Sequence, residues 1–418
     1  LHLGSRAFAE ISGEVVQSAS FVISKEVSNT DGQYFRLVDF NSADVKETNY
    51  LNILNAIKSY PNEDFSKMKT NLSCYYFHVT QKDFIKIPGT PIAYWISDNL
   101  RKCFSTGEYI SNFGISDGQN ITGDNTKYLR IIWEISASKM GEGHKWIPVA
   151  KGGSYRKWYG NIEDVINWSP EARKEYKDNP VGRIQDPYLW FRLGITWNLI
   201  SSNGTGFRTL PPTALFNKAA PTIVLKEDSL NKHNIILSFL NSPVTSAILK
   251  VMNPTYNTNI AEVFALRLRE ISNEEIDKKT NTAIEISRKD WNAHETSWDF
   301  QKPEILAVDT ETYMENIQYQ IDKHFKETGE QICIDPAAPE LDSLEWRYNQ
   351  YQLKWERLFL QLHANEEELN RRFIEIYGLQ DELTPDVPLN EVTILQKGEL
   401  TIDDGEMVWH PDVVMKQF

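Results

Sequence analysis

Hydrophobic and polar positions near the start of the chain alternate in short runs that predict β-strands. Residues 14–23 are apolar and β-branched, residues 34–40 alternate with a period of two, and an Asp-Gly turn lies between them. This order predicts a β-hairpin. Apolar positions at helical spacing then predict a short helix over residues 51–57, and a further strand is predicted over residues 74–79.

From residue 88 the apolar runs become short and are separated by glycines, which predicts small mixed elements. Strands are predicted over residues 128–135 and 223–225. Residues 233–252 have a helical pattern that Pro243 interrupts, so we expect a helix with a break there.

After about residue 266 the apolar spacing is helical. Residues 272–275 resemble a capping box, residues 311–326 and 341–376 predict long helices, and Gly378 is a suitable helix stop. The patterns together predict an α+β, multidomain chain. The expected domains cover residues 1–87, residues 88–265 with mixed α/β structure, and residues 266–418, which are acidic and mainly helical.

Charge is distributed unevenly along the 418 residues. The net charge is −14, but residues 91–265 have a net charge of +4 and residues 266–418 one of −17. Residues 121–160 hold seven bases and three acids. The basic segment is compatible with a nucleic-acid partner, and the same distribution also suits an ordinary acidic helical domain beside a neutral one.

The chain has no apolar run long enough to predict a membrane span and no signal peptide. Both ends are abrupt, so we expect an internal piece of a longer protein. Cys74, Cys103 and Cys333 are too scattered for a disulfide framework or a zinc site, which favours a reducing cytoplasm.

Most catalytic motifs are absent from the sequence, and no metal site is predicted. Residues 253–256, Asn-Pro-Thr-Tyr, differ by one residue from the Asn-Pro-Pro-Tyr motif with which amino-group DNA methyltransferases hold a flipped adenine. The preceding residues 247–252 have the pattern of a helix end, whereas that motif follows a buried strand. We therefore expect no catalytic role for residues 253–256.

Residues 151–161, KGGSYRKWYGN, interleave bases and aromatic residues without an acid. Glycine backbone N–H groups approach phosphates closely, lysine and arginine neutralise them, and aromatic rings stack on unpaired bases. The candidate DNA contacts here are Lys151, Gly152, Gly153, Tyr155, Arg156, Lys157 and Asn161. The alternative is structural, with Trp158 and Tyr159 in a core and the lysine and arginine side chains in water.

Three other polar stretches supply further candidates. Lys127, Arg130 and Arg208 are candidate phosphate contacts, and Asn125, Ser201 and Ser202 are candidate contacts to base edges. These residue types also suit ordinary turns.

Eight stretches in this order resemble one family along nearly the whole chain. They are LGSRAFAEISGEVVQSASFVI (3–23), PGTPIAYWIS (88–97), TGDNTKYLRIIWEI (122–135), KWIPVAKGGSYRKWYGN (145–161), GITWNLISS (194–202), SFLNSPVTSAILKVMNPTYN (238–257), WNAHETSWDF (291–300) and LNRRFIEIYGLQDELTP (369–385). The chain is similar to the PglX-type adenine-specific DNA methyltransferases of BREX phage-defence systems.

This resemblance implies a role and a place in the whole protein. Residues 13–40 would close a Rossmann-like methyltransferase sheet, and residues 88–265 would be the target-recognition domain. S-adenosylmethionine and the flipped adenine would be held by motifs upstream of Leu1, so these 418 residues alone would be inactive. The implied partners are double-stranded DNA and other BREX proteins.

Two alternatives stay open at the level of the sequence. The chain could instead be the specificity module of a fused restriction endonuclease-methyltransferase, which a nuclease motif elsewhere in the protein would favour. It could also be a non-catalytic interaction scaffold of a defence complex, with the acidic helices docking partner proteins.

Overall fold

The computed structural model describes residues 1–8, 17–23, 25, 31–61, 64–68, 70–271, 274–335 and 343–416. The chain divides into two compact units, Leu1–Ser105 and Thr106–Phe418. The domain boundaries that the sequence suggests, after residue 87 and after residue 265, stay predictions.

The first unit packs a helix against short antiparallel strands. Its elements are strands β1 (His2–Gly4), β2 (Ser18–Ala19), β3 (Gly32–Phe35) and β4 (Tyr76–Val79), and helices α1 (Ala43–Ser59) and α2 (Asp98–Lys102). Helix α1 begins where the Ser42 side chain accepts a hydrogen bond from the Val45 N–H, and it confirms the predicted helix. The core residues are Phe35, Leu37, Ile53, Phe65 and Tyr76.

The predicted hairpin is wrong for the residues that the structure describes. Strand β1 pairs with β2, and β3 pairs with β4, with Gly32 opposite Val79. His2 also bridges Arg36, so β1 lies between the two segments that we expected to pair. A period of two identifies a strand but does not identify its neighbour. Residues 9–16, 24 and 26–30 lie outside the described residues, and the Rossmann-like sheet stays a prediction.

The second unit combines small sheets with a group of helices. Its strands are β5 (Glu108–Tyr109), β6 (Gly114–Ile115), β7 (Leu129–Ile131), β8 (Trp146–Ala150), β9 (Asp164–Asn167), β10 (Gly194–Thr196), β11 (Arg208–Leu210), β12 (Leu215–Phe216), β13 (Thr222–Leu225), β14 (Arg267–Leu268), β15 (Leu400–Asp403) and β16 (Glu406–Trp409). Its helices are α3 (Asn125–Tyr128), α4 (Pro170–Asp178), α5 (His233–Leu240), α6 (Pro243–Met252), α7 (Ile260–Phe264), α8 (Glu274–Asn292), α9 (Thr310–Thr328), α10 (Leu344–Tyr377) and α11 (Pro411–Met415).

Two four-stranded sheets organise the middle of this unit. One has the order β11-β10-β13-β6 and is antiparallel throughout. The other has the order β12-β8-β9-β7, in which β12 runs parallel to β8 and the remaining pairs are antiparallel. The strand predicted over residues 223–225 is confirmed as β13. Residues 128–135 contain only the short strand β7, which a 3-10 turn at Ile132–Glu134 follows.

Helices α8, α9 and α10 form the acidic part of the unit, and α10 packs against both of the others. The Ser343 side chain caps the start of α10, and Gly378 ends it with a φ of 70°, a conformation that favours glycine. The predicted helices over residues 311–326 and 341–376 and the stop at Gly378 are therefore confirmed. Ser272 and Asn273 of the expected capping box lie outside the described residues.

The predicted break near Pro243 is also confirmed. Helix α5 ends at Leu240, Ser242 caps α6, and Pro243 is the first residue of α6, where its missing N–H costs no hydrogen bond. Within the described ranges no single helix has the length and apolar character of a membrane span. The sharply bent pair Glu227–Leu240 and Pro243–Met252 meets those criteria only when it is taken together.

Candidate nucleic-acid interface

Residues 151–161 connect two neighbouring strands, β8 and β9, and their glycines fold the connection back onto the protein. Gly153 has a φ of 137° and Gly160 one of 120°, in the region that favours glycine. A Cβ atom at Gly153 would lie 2.8 Å from Asn161 Cγ, and one at Gly160 would lie 2.6 Å from Arg156 Nε. The connection is therefore compact, with an outer part at residues 151–154 and an inner part at residues 156–160.

The outer part lines a hollow of about 330 Å³. Its lining includes Lys151, Gly152, Gly153, Ser154, Asn161 and Asp164. The Asn161 amide donates a hydrogen bond of 2.7 Å to the Ser154 carbonyl, which closes the turn. Lys151 Nζ lies 3.3 Å from Asp164 Oδ1, and the lysine side chain is 37% exposed. Lys151 is therefore a cation that solvent and a ligand can reach.

A second hollow of about 300 Å³ also contains Lys151 and has an apolar floor with a polar rim. Its floor consists of Ile121, Leu129, Val149, Ile166 and Leu199. Its rim includes Thr122, Asn125, Lys151, Asn217 and Lys218. Amide side chains bind base edges and ammonium groups bind phosphates, so the rim has the chemistry of a nucleic-acid contact.

Helix α3 positions the predicted residues Asn125 and Lys127. The Asp124 side chain caps this helix by accepting a hydrogen bond of 3.0 Å from the Lys127 N–H. Asn125 accepts a hydrogen bond of 2.8 Å from the Thr122 hydroxyl, and Lys127 Nζ lies 2.5 Å from Glu175 Oε2 on α4. Both side chains are exposed, and Lys127 remains 56% exposed within its ion pair.

Arg130 is half-buried at the end of the same turn. Its guanidinium donates a hydrogen bond of 2.8 Å to the Thr126 carbonyl and lies 5.9 Å from the centre of the Trp146 ring. This side chain therefore helps to hold α3 against the sheet.

The inner part of the connection corrects the expectation that Arg156, Lys157 and Arg208 present free charge to phosphates. These residues are buried, with Arg156 as a whole 5% exposed, Lys157 8% exposed and Arg208 fully covered. Trp158 and Tyr159 are also buried, so they belong to the core and not to a stacking surface. The sequence pattern did not reveal the burial of Arg156 and Lys157 because their carboxylate partners come from α8 and α10, more than a hundred residues away along the chain.

Each of these bases has its hydrogen bonds inside the protein. Arg156 donates to the Asp290 carboxylate at 2.7 Å, and Lys157 donates to the Glu366 carboxylate at 2.7 Å. Arg208 has carbonyl and amide acceptors, and burial, followed by the charge of Arg156, lowers the pKa of Arg208 to about 9. All three side chains are therefore occupied by protein groups.

Tyr155, Ser201 and Ser202 line a third, separate hollow of about 450 Å³. Tyr155 is half-buried, and burial raises the pKa of its hydroxyl. Ser202 is exposed and its hydroxyl donates a hydrogen bond of 3.2 Å to Asn203 Oδ1. Lys157 also borders this hollow, but its charge is directed to Glu366. Most of the predicted residues are thus divided between the two hollows that share Lys151, this third hollow and the interior, whereas Lys127 and Arg130 line none of the three hollows.

The Asn-Pro-Thr-Tyr segment follows a helix, as we expected. Asn253 comes directly after α6, and its side-chain oxygen accepts hydrogen bonds from the Thr255 N–H at 3.1 Å and the Thr255 hydroxyl at 2.7 Å. The Asn253 amide donates to Asn257 and Glu262. The side chain that would hold an adenine is engaged in a local turn, and Tyr256 is 71% exposed beside it.

Sequence reasoning missed Asn217 and Lys218, which lie in the turn between β12 and β13. Lys218 is exposed and lies on the rim of the second hollow. The sequence could have indicated this position, because Lys218 is the only charged residue between Arg208 and Lys226. A lone base between two apolar strands is expected in a surface turn.

No metal ion or cofactor is assigned to the described residues. No group of three or more His, Cys, Asp or Glu side chains in the described ranges could hold a metal ion. Nucleotide-like cofactors bind at the carboxyl ends of parallel strands joined by helices. Among the described strand ladders only β8 and β12 are parallel, and β9, α4, β10 and β11 intervene between them along the chain. We therefore assign no cofactor contact to these residues.

Comparison with known proteins gave no matching family model. The chain is 33% identical over 413 residues to the adenine-specific methyltransferase PglX of Lacticaseibacillus casei (strain Zhang), covering 94% of the chain and 31% of that protein. It is 34% identical over 314 residues to the adenine-specific methyltransferase BrxX of Escherichia coli O9:H4 (strain HS), covering 73% of the chain and 24% of that protein. The chain spans about a third or less of the length of these curated relatives.

Proposed function

Because the chain belongs to the family of the adenine-specific methyltransferases PglX and BrxX, we propose that it carries the DNA-recognition region of such an enzyme. For the whole protein we propose methyl transfer from S-adenosylmethionine to adenine N6 in double-stranded DNA. In the same proposal the cofactor site lies outside the 418 residues, which cover only 31% and 24% of the length of these two relatives. A cytoplasmic role in phage defence, beside other BREX proteins, belongs to the same proposal.

The two hollows that share Lys151 carry the proposal for DNA recognition. They combine accessible ammonium groups at Lys151 and Lys218 with amides at Asn125 and Asn217. The backbone of the neighbouring Gly152–Gly153 turn has no side chain to keep a phosphate away. Cations with amides and accessible backbone are the groups that position a duplex and contact its bases.

The local charge supports the same surface. Residues 91–265 have a net charge of +4, although the whole chain has −14. The buried bases Arg156 and Lys157 are neutralised internally, so the accessible positive charge of this region depends on the exposed lysines. Lys127, Lys151 and Lys218 are therefore the proposed phosphate contacts, with Asn125, Asn161 and Asn217 as the proposed polar contacts.

Binding of the 418-residue chain to short duplex DNA at several salt concentrations tests this proposal. We expect salt-dependent binding that Lys151→Ala and Lys218→Ala each weaken, with the slope of log K against log salt reduced by about one per lysine. Lys326→Ala, an exposed lysine on α9, is the matched control and should change nothing.

Absence of duplex binding at low salt would contradict the proposal and favour an interaction scaffold. Binding that is equally strong in the Lys151→Ala, Lys218→Ala and Lys326→Ala variants would show that another surface contacts the DNA.

A further inference from the structure

The connection between β8 and β9 joins two different environments over only a few residues. Its outer residues, Lys151 to Ser154, line the hollows of the proposed DNA surface. Its inner residues, Arg156 to Gly160, are buried beneath the acidic helices. The position of the outer residues therefore depends on the groups that hold the inner residues in place.

Asp290 of α8 fixes Arg156. The guanidinium donates hydrogen bonds to Asp290 Oδ2 at 2.7 Å, the Ser287 carbonyl at 2.9 Å and the Tyr159 carbonyl at 2.6 Å. It also lies 5.2 Å from the centre of the Trp291 ring. Asp290 is 1% exposed, so this is a buried, charge-assisted contact that depends on both partners.

Asp290 also contacts the segment that precedes β15. Its Oδ1 atom accepts a hydrogen bond of 2.8 Å from the Leu395 N–H. Both carboxylate oxygens are therefore used, one for Arg156 and one for the backbone.

Glu366 of α10 fixes the next two residues. One carboxylate oxygen accepts a hydrogen bond of 2.7 Å from Lys157 Nζ, and the other accepts one of 2.6 Å from Trp158 Nε1. Burial by itself would lower the pKa of Lys157, but the charge of Glu366, the charge of Tyr155 and the hydrogen bond to Glu366 together outweigh burial and raise the pKa. The Lys157 N–H also donates to the Thr393 hydroxyl at 3.1 Å.

A chain of hydrogen bonds continues from this buried end to the outer turn. Arg208 donates to the Arg156 carbonyl at 3.2 Å and to Asn198 Oδ1 at 2.9 Å. The Asn198 amide in turn donates to the carbonyls of Gly153 at 2.8 Å and Ser154 at 3.1 Å. The glycine turn is thus connected to α8 through side chains that are all buried.

We propose that Asp290 and Glu366 are positioning residues for the DNA-facing turn at residues 151–154. They hold the buried end of the connection in place. The hydrogen bonds of Arg208 and Asn198 link that buried end to the carbonyls of the turn, so the position of the turn depends on both acids. This inference rests on the proposed function, because it assigns the acidic helices a part in DNA recognition without contact to DNA.

The test combines duplex affinity with amide hydrogen exchange in the 418-residue chain. Asp290→Asn and Glu366→Gln each keep the shape of the side chain and remove its charge. We expect each to weaken duplex binding about tenfold and to speed exchange of the amides of residues 152–155 about tenfold, because the turn loses its anchor.

Glu356→Gln is the matched control. Glu356 is also a mostly buried acid of α10, and it accepts hydrogen bonds from the Tyr319 hydroxyl at 2.8 Å and Lys323 Nζ at 2.6 Å on α9. Its loss should lower the melting temperature without changing duplex affinity or exchange at residues 152–155. If Asp290→Asn and Glu366→Gln do not fold, Thr393→Val removes one hydrogen bond to Lys157 and should show the same effects more weakly.

Unchanged exchange at residues 152–155 in the folded variants would overturn the inference. Equal loss of affinity in Glu356→Gln would also overturn it, because general destabilisation would then explain the effect. If the unmodified chain does not bind duplex DNA, the proposed function fails, whereas faster exchange in the two variants still supports the positioning role.

Discussion

Burial determines what each base of residues 151–161 does. Lys151 is 37% exposed beside Asp164, whereas Lys157 has a side chain 10% exposed beside Glu366. An exposed pair contributes about 0–1 kcal/mol, but removing one partner of a buried pair costs about 3–5 kcal/mol. Bases that are six positions apart therefore have different roles, one available to a ligand and one required by the fold.

His294 provides a prediction at the same scale. Its Nε2 atom lies 2.6 Å from Glu399 Oε1, and its Nδ1 atom lies 2.8 Å from the Asp290 carbonyl. Burial by itself would lower the pKa of His294, but the hydrogen bond to Glu399 and the charge of Asp290 raise it above 6.5. The folded state therefore binds the proton more tightly than the unfolded state does.

The stability from this proton is fully present below the unfolded pKa and is lost as the pH rises through the folded pKa. We expect the free energy of unfolding to fall as the pH rises above 6.5, the ordinary pKa of histidine, in the unmodified chain, and to fall less in His294→Gln. Urea unfolding of both proteins at each pH measures this difference. Parallel pH profiles for the two proteins would contradict the prediction.

Among the elements, α3 is the smallest that the candidate interface depends on. The four-residue helix has few backbone hydrogen bonds of its own, so the Asp124 cap is a large part of what fixes it. Asp124→Ala should release Asn125 and Lys127 and weaken duplex binding several-fold, while the melting temperature changes little. Ser343→Ala, which removes the cap of α10, should instead cost about 1 kcal/mol of stability and leave affinity unchanged.

Equal duplex affinity in Asp124→Ala and in the unmodified chain would show that α3 does not contribute to binding. The two cap variants thus distinguish an element that presents contact groups from one that supports the fold.

In the whole molecule, packing brings some acids of the C-terminal region against basic residues of the middle region. Residues 266–418 carry −17, and two of those acids, Asp290 and Glu366, are counter-ions for bases of the middle region. The exposed acids on α9 and α10 have no such role. A strongly acidic surface is repelled by DNA, so we expect this surface to face away from the duplex.

Reversing exposed acids tests that orientation. Glu327→Lys on α9 and Glu345→Lys on α10 should leave duplex affinity within about twofold at moderate salt, because screening ends such interactions within about 10 Å. The measurement is the same duplex titration. A large gain in affinity would mean that these positions lie beside the DNA.

The sequence by itself determined the elements that depend on local interactions. The helices α9 and α10, the stop at Gly378 and the break before Pro243 were predictable because side-chain periodicity, caps and proline act over a few residues. The family was also evident from eight ordered stretches. Of the candidate interface, Asn125, Lys127 and Lys151 were identified as polar groups in turns, and the structure leaves all three accessible at least in part.

Only the tertiary structure decided which segments meet. It paired β3 with β4 and placed β1 between the arms of the predicted hairpin, because strand register depends on distant partners. It also buried Arg156 and Lys157 against Asp290 and Glu366, which are 134 and 209 residues away along the chain. The sequence does not distinguish a lysine or arginine that faces solvent from one that faces a buried carboxylate. The difference arises only when the chain packs and brings a distant carboxylate beside it.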